Sequence, residues 1–171
     1  MIRAIRAFFA VAALAVLASC GGGDSLQPSK TYQGPPITQV VVKKADRKMY
    51  LVSGREVIKS YKIQLGGQPV GPKQLEGDGR TPEGMYFIDR FNPRSRYHLS
   101  VGISYPSAQD IANAVAVGAR PGGDIFIHGL GPEGRALNRA DWTAGCIAVT
   151  DQEIEEIFTM LRPGVPIFIY P

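Results

Sequence analysis

Three short runs rich in β-branched and aromatic residues follow one another between residues 38 and 65, and the turns between them are only two or three residues long. The runs are "TQVVVKK" (38–44), "KMYLVS" (48–53) and "REVIKSYKIQL" (55–65), separated by Ala45-Asp46-Arg47 and by Ser53-Gly54. Segments of this composition, joined this tightly, pair with their neighbours as an antiparallel meander. The pattern stops at "GGQPVGPKQLEGDGRTPEG" (66–84), where six glycines and three prolines predict a long loop. It resumes in "MYFIDRF" (85–91) and "YHLSVGISY" (97–105), whose partial alternation predicts one buried face each. "GGDIFIHG" (122–129) reads as another buried strand, ending at His128, and "RPGVPIFIY" (162–170) as a turn and a last strand. The chain is therefore mainly β.

Two helices interrupt the strands. "SAQDIANAVAVG" has Ser107 in the N-cap position and Gly118 just past the end, with Ile111, Ala114 and Val115 at helical spacing. "TDQEIEEIFTML" pairs Thr150 with Glu153 in a capping-box pattern, and acidic residues crowd its first turns, where the helix dipole favours them. Ile154, Ile157, Phe158 and Leu161 form one apolar face. Both apolar faces are expected to pack on the core.

The N-terminus reads as an export signal. In "MIRAIRAFFAVAALAVLASC", Arg3 and Arg6 precede an apolar stretch, Ala7 to Leu17, that is too short to span a bilayer. It ends in Leu17-Ala18-Ser19-Cys20, which resembles the bacterial lipobox; the resemblance implies lipidation of Cys20 as the mature N-terminus. "GGGDSLQPSKTYQGPP" follows, with the composition of a flexible tether. The expected division is a signal peptide over 1–19, a lipidated tether over 20–36 and one domain over 37–171. The expected location is the periplasm, lipid-anchored; Gly21 in place of an aspartate after Cys20 points to the outer membrane by resemblance to enterobacterial sorting rules. The formal charge of +4 includes Arg3 and Arg6, so about +2 remains without them. No lysine or arginine run is present, so the chain carries no nucleic-acid footprint.

If Cys20 carries lipid, Cys146 in "DWTAGCIAVTD" is the remaining thiol, in a compartment that favours disulfides and with no partner. It is either a small buried hydrophobe or a reactive group. His128 stands at the end of "DIFIH", and the polar segment "GLGPEGRALNRADWTAG" between the two can fold back to bring them together. An imidazole that takes the thiol proton makes a thiolate nucleophile. Gly145 allows a tight turn that brings the Gly145 and Cys146 amides toward a developing oxyanion. A zinc site needs three or four ligands, and one thiol with two histidines does not supply them. No metal or other cofactor is expected.

"IFIHG", the gap to "TAGCIAV" and the acidic helix after it resemble the catalytic motif of the L,D-transpeptidases, the YkuD-type family. The resemblance covers nearly all of residues 38–171, including "RTPEGMYFI" against the family's TPxGxY/F element. It implies a YkuD-like β-sandwich or barrel-like domain of antiparallel and mixed strands with a few short helices. It also implies Cys146 as nucleophile, His128 as proton donor and acceptor, and the Gly129 carbonyl as the group that holds the imidazole. Thr143 falls on the family's Ser/Thr position. Two positions depart from the commoner pattern: Ala144 stands where a histidine precedes the Gly-Cys pair, and Ala148 where an arginine or asparagine follows. With "YHLSVGISYP" and "GDGRTPEG", these departures resemble a YafK-like branch.

The implied reaction is peptidoglycan L,D-transpeptidation on stem peptides through a thioester on Cys146. Hydrolysis of L,D-linkages, or release of a wall-anchored lipoprotein, is the alternative that the two departures raise. A non-catalytic wall-binding lipoprotein is a third reading. Arg80, Arg120 and Trp142 are candidate contacts for stem carboxylates or sugar, and His98 for the substrate side of the cleft. The loop over 66–84 is expected to lie over that cleft.

Overall fold

A computed structural model describes residues 31–137 and 139–171, so the leader and most of the tether, Cys20 included, lie outside the described residues. The strands are β1 (Gln39–Lys43), β2 (Lys48–Ser53), β3 (Glu56–Lys62), β4 (Gly84–Ser95), β5 (His98–Ile103), β6 (Phe126–His128), β7 (Ile147–Ala148) and β8 (Pro166–Tyr170). The helices are α1 (Ala108–Ala116), α2 (Gly131–Ala136) and α3 (Asp151–Met160). The strand order is β3-β2-β1-β8-β4-β5-β6-β7. Pairing is antiparallel except at β1–β8 and β6–β7, so the sheet is mixed, as the family resemblance implies.

β4 holds the sheet together. Its first residues pair with β8 and its later ones with β5, and register shifts at Ile88/Phe91 and Asn92/Ser95 mark the bend between the two halves. The halves enclose one core. Val40, Val42, Met49, Leu51, Ile167 and Ile169 enter it from one side, and Ile88, Val101, Ile103, Ile127 and Ile147 from the other. The alternation that places them is the period-2 alternation of the strands.

α3 closes the core beneath β5 and β6. Thr150 Oγ1 accepts the Glu153 amide at 3.2 Å, and Glu153 Oε2 accepts the Thr150 amide at 2.8 Å, completing the expected capping box. Ile154 and Ile157 are 0% exposed, each contributing about 1.5–3 kcal/mol by burial. Phe158 is half-buried, edge-on to Phe91 at 5.1 Å. The helix therefore braces the strand that ends at His128.

α1 begins and ends where expected, with Ser107 capping it and Gly118 left-handed just after it. Its apolar face is a correction. Of the three residues expected in the core only Ala114 is buried; Ile111 and Val115 are 45% and 64% exposed. The helix is held through Ala114 and through Asp110, whose carboxylate accepts the Tyr86 hydroxyl at 3.1 Å. α2 is a second difference: one short helix lies inside a segment that reads as loop, because Pro132 near its start and scattered glycines hide it.

Candidate active site

β6 and β7 run parallel, with Ile127 beside Ile147 and His128 beside Ala148. Partners in a parallel pair face the same way, and alternation back from Ala148 carries Cys146 onto the face of His128. The Cys146 thiol, which donates to the Asp124 carbonyl at 3.5 Å, also ties the residue to the segment leading into β6. The parallel register thus brings the segment that carries Cys146 alongside the strand that carries His128.

His128 is 3% exposed. Tyr97 stacks on its ring at 4.6 Å and Trp142 meets it edge-on at 5.7 Å. Nδ1 lies 2.6 Å from the Gly129 carbonyl oxygen. Only glycine fits at 129, since a Cβ there would lie 2.6 Å from Asp151 Oδ1 and 2.8 Å from the Tyr97 carbonyl. Burial pushes the imidazole below its ordinary pKa, with the Gly129 hydrogen bond opposing it.

The turn before Cys146 is built by Thr143. Its hydroxyl donates to the Cys146 carbonyl at 2.7 Å and accepts the Gly145 amide at 3.2 Å. Gly145 has φ +133° and a Cβ there would sit 2.6 Å from the Arg80 carbonyl, so this position takes only glycine. Among the described residues, the Cys146 amide makes no hydrogen bond, whereas the Gly145 amide is occupied by Thr143. The thiol donates to the Asp124 carbonyl at 3.5 Å. Burial pushes the thiol up, the Phe126 backbone bond opposes it, Asp124 adds to the rise, and Lys73 and Arg90 pull it back. A raised thiol beside a depressed imidazole means that both are neutral at rest.

The loop over 66–84 packs on this turn. Gly67 donates to the Thr143 carbonyl at 3.0 Å, Thr143 donates to the Leu65 carbonyl at 3.2 Å, and the Arg80 backbone abuts Gly145. Buried Lys44 pins the loop from below through Gly71 O, Thr81 O and Glu83 Oε1. Asp141 fixes the other side: it accepts two bonds from Arg47 Nε, at 3.0 and 3.1 Å, and the Leu65 amide at 2.9 Å.

The remaining candidates divide. Thr143 is 7% exposed and supports the turn from within. Trp142 walls His128, with Nε1 buried and unpartnered among the described residues. Arg80 adjoins the site through its backbone. Arg120 is exposed, and its carbonyl accepts the Glu76 amide at 2.8 Å. His98 lies two residues along β5 from Ser100, the register partner of His128, and its Nε2 is 2.7 Å from Glu155 Oε1 on α3. It lines a groove of about 400 Å³ with Arg94, Arg96 and Arg135, among others. Neither His98 nor Arg120 contacts Cys146.

The L,D-transpeptidase catalytic domain, YkuD, matches residues 37–169. The chain belongs to that family. The L,D-transpeptidase YafK of Escherichia coli strain K12 is 32% identical over 169 residues, covering 88% of this chain and 62% of its own length. The chain thus spans less than two thirds of that relative. The helical cell shape determining protein Pgp2 of Campylobacter jejuni superposes with a TM-score of 0.61 at 26% identity, over 81% of this chain and 49% of that one. Bd1075 of Bdellovibrio bacteriovorus shares the fold, with a TM-score of 0.55 at 22% identity over 82% of this chain and 51% of that one. Within this family fold, the departures at 144 and 148 have a clear setting. Ala144 is exposed, and Ala148 is buried where it exchanges backbone hydrogen bonds of 2.8 and 2.9 Å with Gln64. Among the described residues, no helix is long and apolar enough to cross a membrane.

Proposed function

We propose that the protein is a cysteine-dependent peptidoglycan L,D-transpeptidase acting on stem peptides. The observation that supports this reading is the parallel pairing of β6 and β7, which sets the Cys146 segment beside the strand of His128, with Nδ1 engaged by the Gly129 carbonyl and Nε2 left free to act as the base. Cys146 attacks the carbonyl of the third stem residue, a diamino acid. His128 takes the thiol proton and returns it to the leaving D-alanine amine. The Cys146 amide is the ready oxyanion donor; the Gly145 amide joins it on leaving Thr143. The thioester on Cys146 is then resolved by a side-chain amine of a second stem or by a lipoprotein lysine.

Hydrolysis is the second reading. It is favoured by exposed Ala144 beside the thiol, which leaves room for water where the commoner pattern has an imidazole. The same chemistry in reverse would release a wall-anchored lipoprotein. Incubation of the protein with a carbapenem, followed by intact mass, tests the nucleophile: an adduct is expected, and none on the Cys146→Ala protein. No adduct on either would favour a non-catalytic wall-binding protein. Digestion of purified murein sacculi and profiling of the muropeptides separates cross-link formation from cleavage.

The protein is further proposed to be exported and held in the periplasm by lipid on Cys20, at the outer membrane. Cys20→Ala should release it into the soluble periplasmic fraction with its activity unchanged. Incorporation of radiolabelled fatty acid into the Cys20→Ala protein would refute the lipid anchor.

A further inference from the structure

The outer face of the sheet carries a row of lysines beside an apolar row, and the strand registers define both. Across β3, β2 and β1, Lys62 lies opposite Lys48 and Lys48 opposite Lys43. On β8 the partner of Lys43 is Tyr170. Two residues along, Ser60, Tyr50, Val41, Phe168 and Met85 form the adjoining row from β3 to β4. Phe87 pairs with Pro166 beside it. Alternation assigns these residues to one face, because Val42, Met49, Ile169 and Tyr86, which come between them, enter the core. Met85, Phe87 and Tyr170 are 55%, 43% and 50% exposed, and Lys43 and Lys62 are exposed as well.

The fold itself accounts for neither row. Neighbouring strands stand about 4.8 Å apart, so the three lysine positions lie within about 10 Å. Like charges directly opposite one another across strands destabilise a sheet. The lysine ion pairs among the described residues are those of Lys44, Lys59 and Lys73. No carboxylate there relieves Lys43, Lys48 and Lys62, and Asp46, in the turn between β1 and β2, pairs with none of them. A lysine on edge strand β3 can discourage pairing with another chain. β2 and β1 are interior strands, so this does not account for Lys48 or Lys43. The apolar row is a contiguous patch of the kind that marks an interaction surface. An apolar face alone would suit a second copy of the chain. Three unpaired ammonium groups call for an anionic layer, and the side chains beside them for an apolar layer beneath it. A leaflet of acidic phospholipids has both.

We propose that this face docks on a bilayer surface rich in acidic phospholipids, with Lys43, Lys48 and Lys62 on the phosphates and Met85, Phe87 and Tyr170 in the layer just beneath them. The docking stands apart from lipid on Cys20, which would bring the domain near a bilayer without choosing the face that meets it. Cys146 lies beside β6 and β7, at the opposite end of the strand order from β3, so the docked face is not the one that holds the thiol.

Vesicle sedimentation with the Cys20→Ala protein tests this without any contribution from an attached lipid. The vesicles are phosphatidylcholine alone, or phosphatidylcholine with an equal part of phosphatidylglycerol. Binding is expected to the mixed vesicles only, and it should fall as salt rises. Each of Lys43→Gln, Lys48→Gln and Lys62→Gln should weaken it by about fivefold, and the three together by about a hundredfold. Met85→Ser combined with Phe87→Ser should weaken it too, with the salt dependence kept. A control with the same change in net charge, Arg94→Gln, Arg96→Gln and Arg139→Gln together, should bind as the parent does. Because opposed lysines repel, the triple lysine variant should be at least as stable in urea as the parent, so its loss of binding is not one of folding. Equal losses in the lysine and arginine triple variants would reduce the effect to net charge and overturn the proposal, as would equal binding to both kinds of vesicle. A parent protein that sediments as a dimer, dissociated by Phe87→Ser, would give the face to a second copy and refute the docking. Binding to purified sacculi through these lysines, with none to the acidic vesicles, would give it to a wall polymer and refute it equally.

Discussion

The Nδ1 atom of His128 lies 2.6 Å from the carbonyl oxygen of Gly129, its own neighbour in the chain. A carbonyl only accepts, so Nδ1 carries the proton and Nε2 is the basic nitrogen. Burial lowers the imidazole pKa, so this neutral tautomer persists to more acidic pH than in a free histidine. The sign for activity follows. Below its depressed pKa His128 is cationic and cannot take the thiol proton; above it the base is present. Acylation of Cys146 by a carbapenem should therefore lose its rate on an acid limb centred below the ordinary histidine value of about 6.5. Timed mass spectrometry across pH measures it, and a limb centred well above that value would contradict the burial argument.

The two histidines should separate cleanly. His128→Ala removes the base and should slow acylation by roughly two to four orders of magnitude. His98 is bonded to Glu155 on α3 and does not contact the sulfur. His98→Ala should cost much less in that step, even if it weakens binding of the stem peptide. Stopped-flow acylation of both variants decides it, and equal losses would overturn the assignment.

Gly145 has no tolerance for a side chain. Its φ of +133° is a region L-residues rarely adopt, and the Arg80 carbonyl occupies the Cβ position. Gly145→Ala should destabilise by about 1–3 kcal/mol from the backbone alone and displace the loop from the catalytic turn. The measurement is a urea midpoint alongside the acylation rate. A variant with wild-type values in both would show that the turn is looser than its geometry implies.

Much of this arrangement is legible in the chain and some is not, for physical reasons. The first meander is local: tight turns fix which strands pair, so composition suffices. The α3 capping box is also local, a matter of residues three apart. Cys146 and His128 stand out in the sequence because each is a motif residue beside a short strand-like run. The exposed face of α1 was not, because helical spacing shows an apolar stripe but not whether anything covers it. Lys44 and Asp141 were equally hidden. Each acts across a large sequence separation, and each reads as an ordinary surface charge until the fold brings its partners together.

Lys44 offers the sharpest test of how the loop supports the site. Its side chain is 2% exposed, and its ammonium donates to Gly71 O at 2.6 Å, Thr81 O at 3.0 Å and Glu83 Oε1 at 2.8 Å. Removing one partner of a buried pair leaves the other charged and unmatched, which costs about 3–5 kcal/mol. Lys44→Met should lose stability on that scale, read as the urea midpoint. Replacing both members of a buried pair with apolar groups is often near neutral, so Lys44→Met combined with Glu83→Leu should recover part of the loss. Activity should not recover with it. The two orphaned carbonyls belong to the loop whose Arg80 backbone packs on Gly145 and whose Lys73 charge reaches Cys146. The double variant should therefore refold toward wild-type stability while acylating Cys146 more slowly. Recovery of both together would mean that Lys44 anchors the fold without placing the loop.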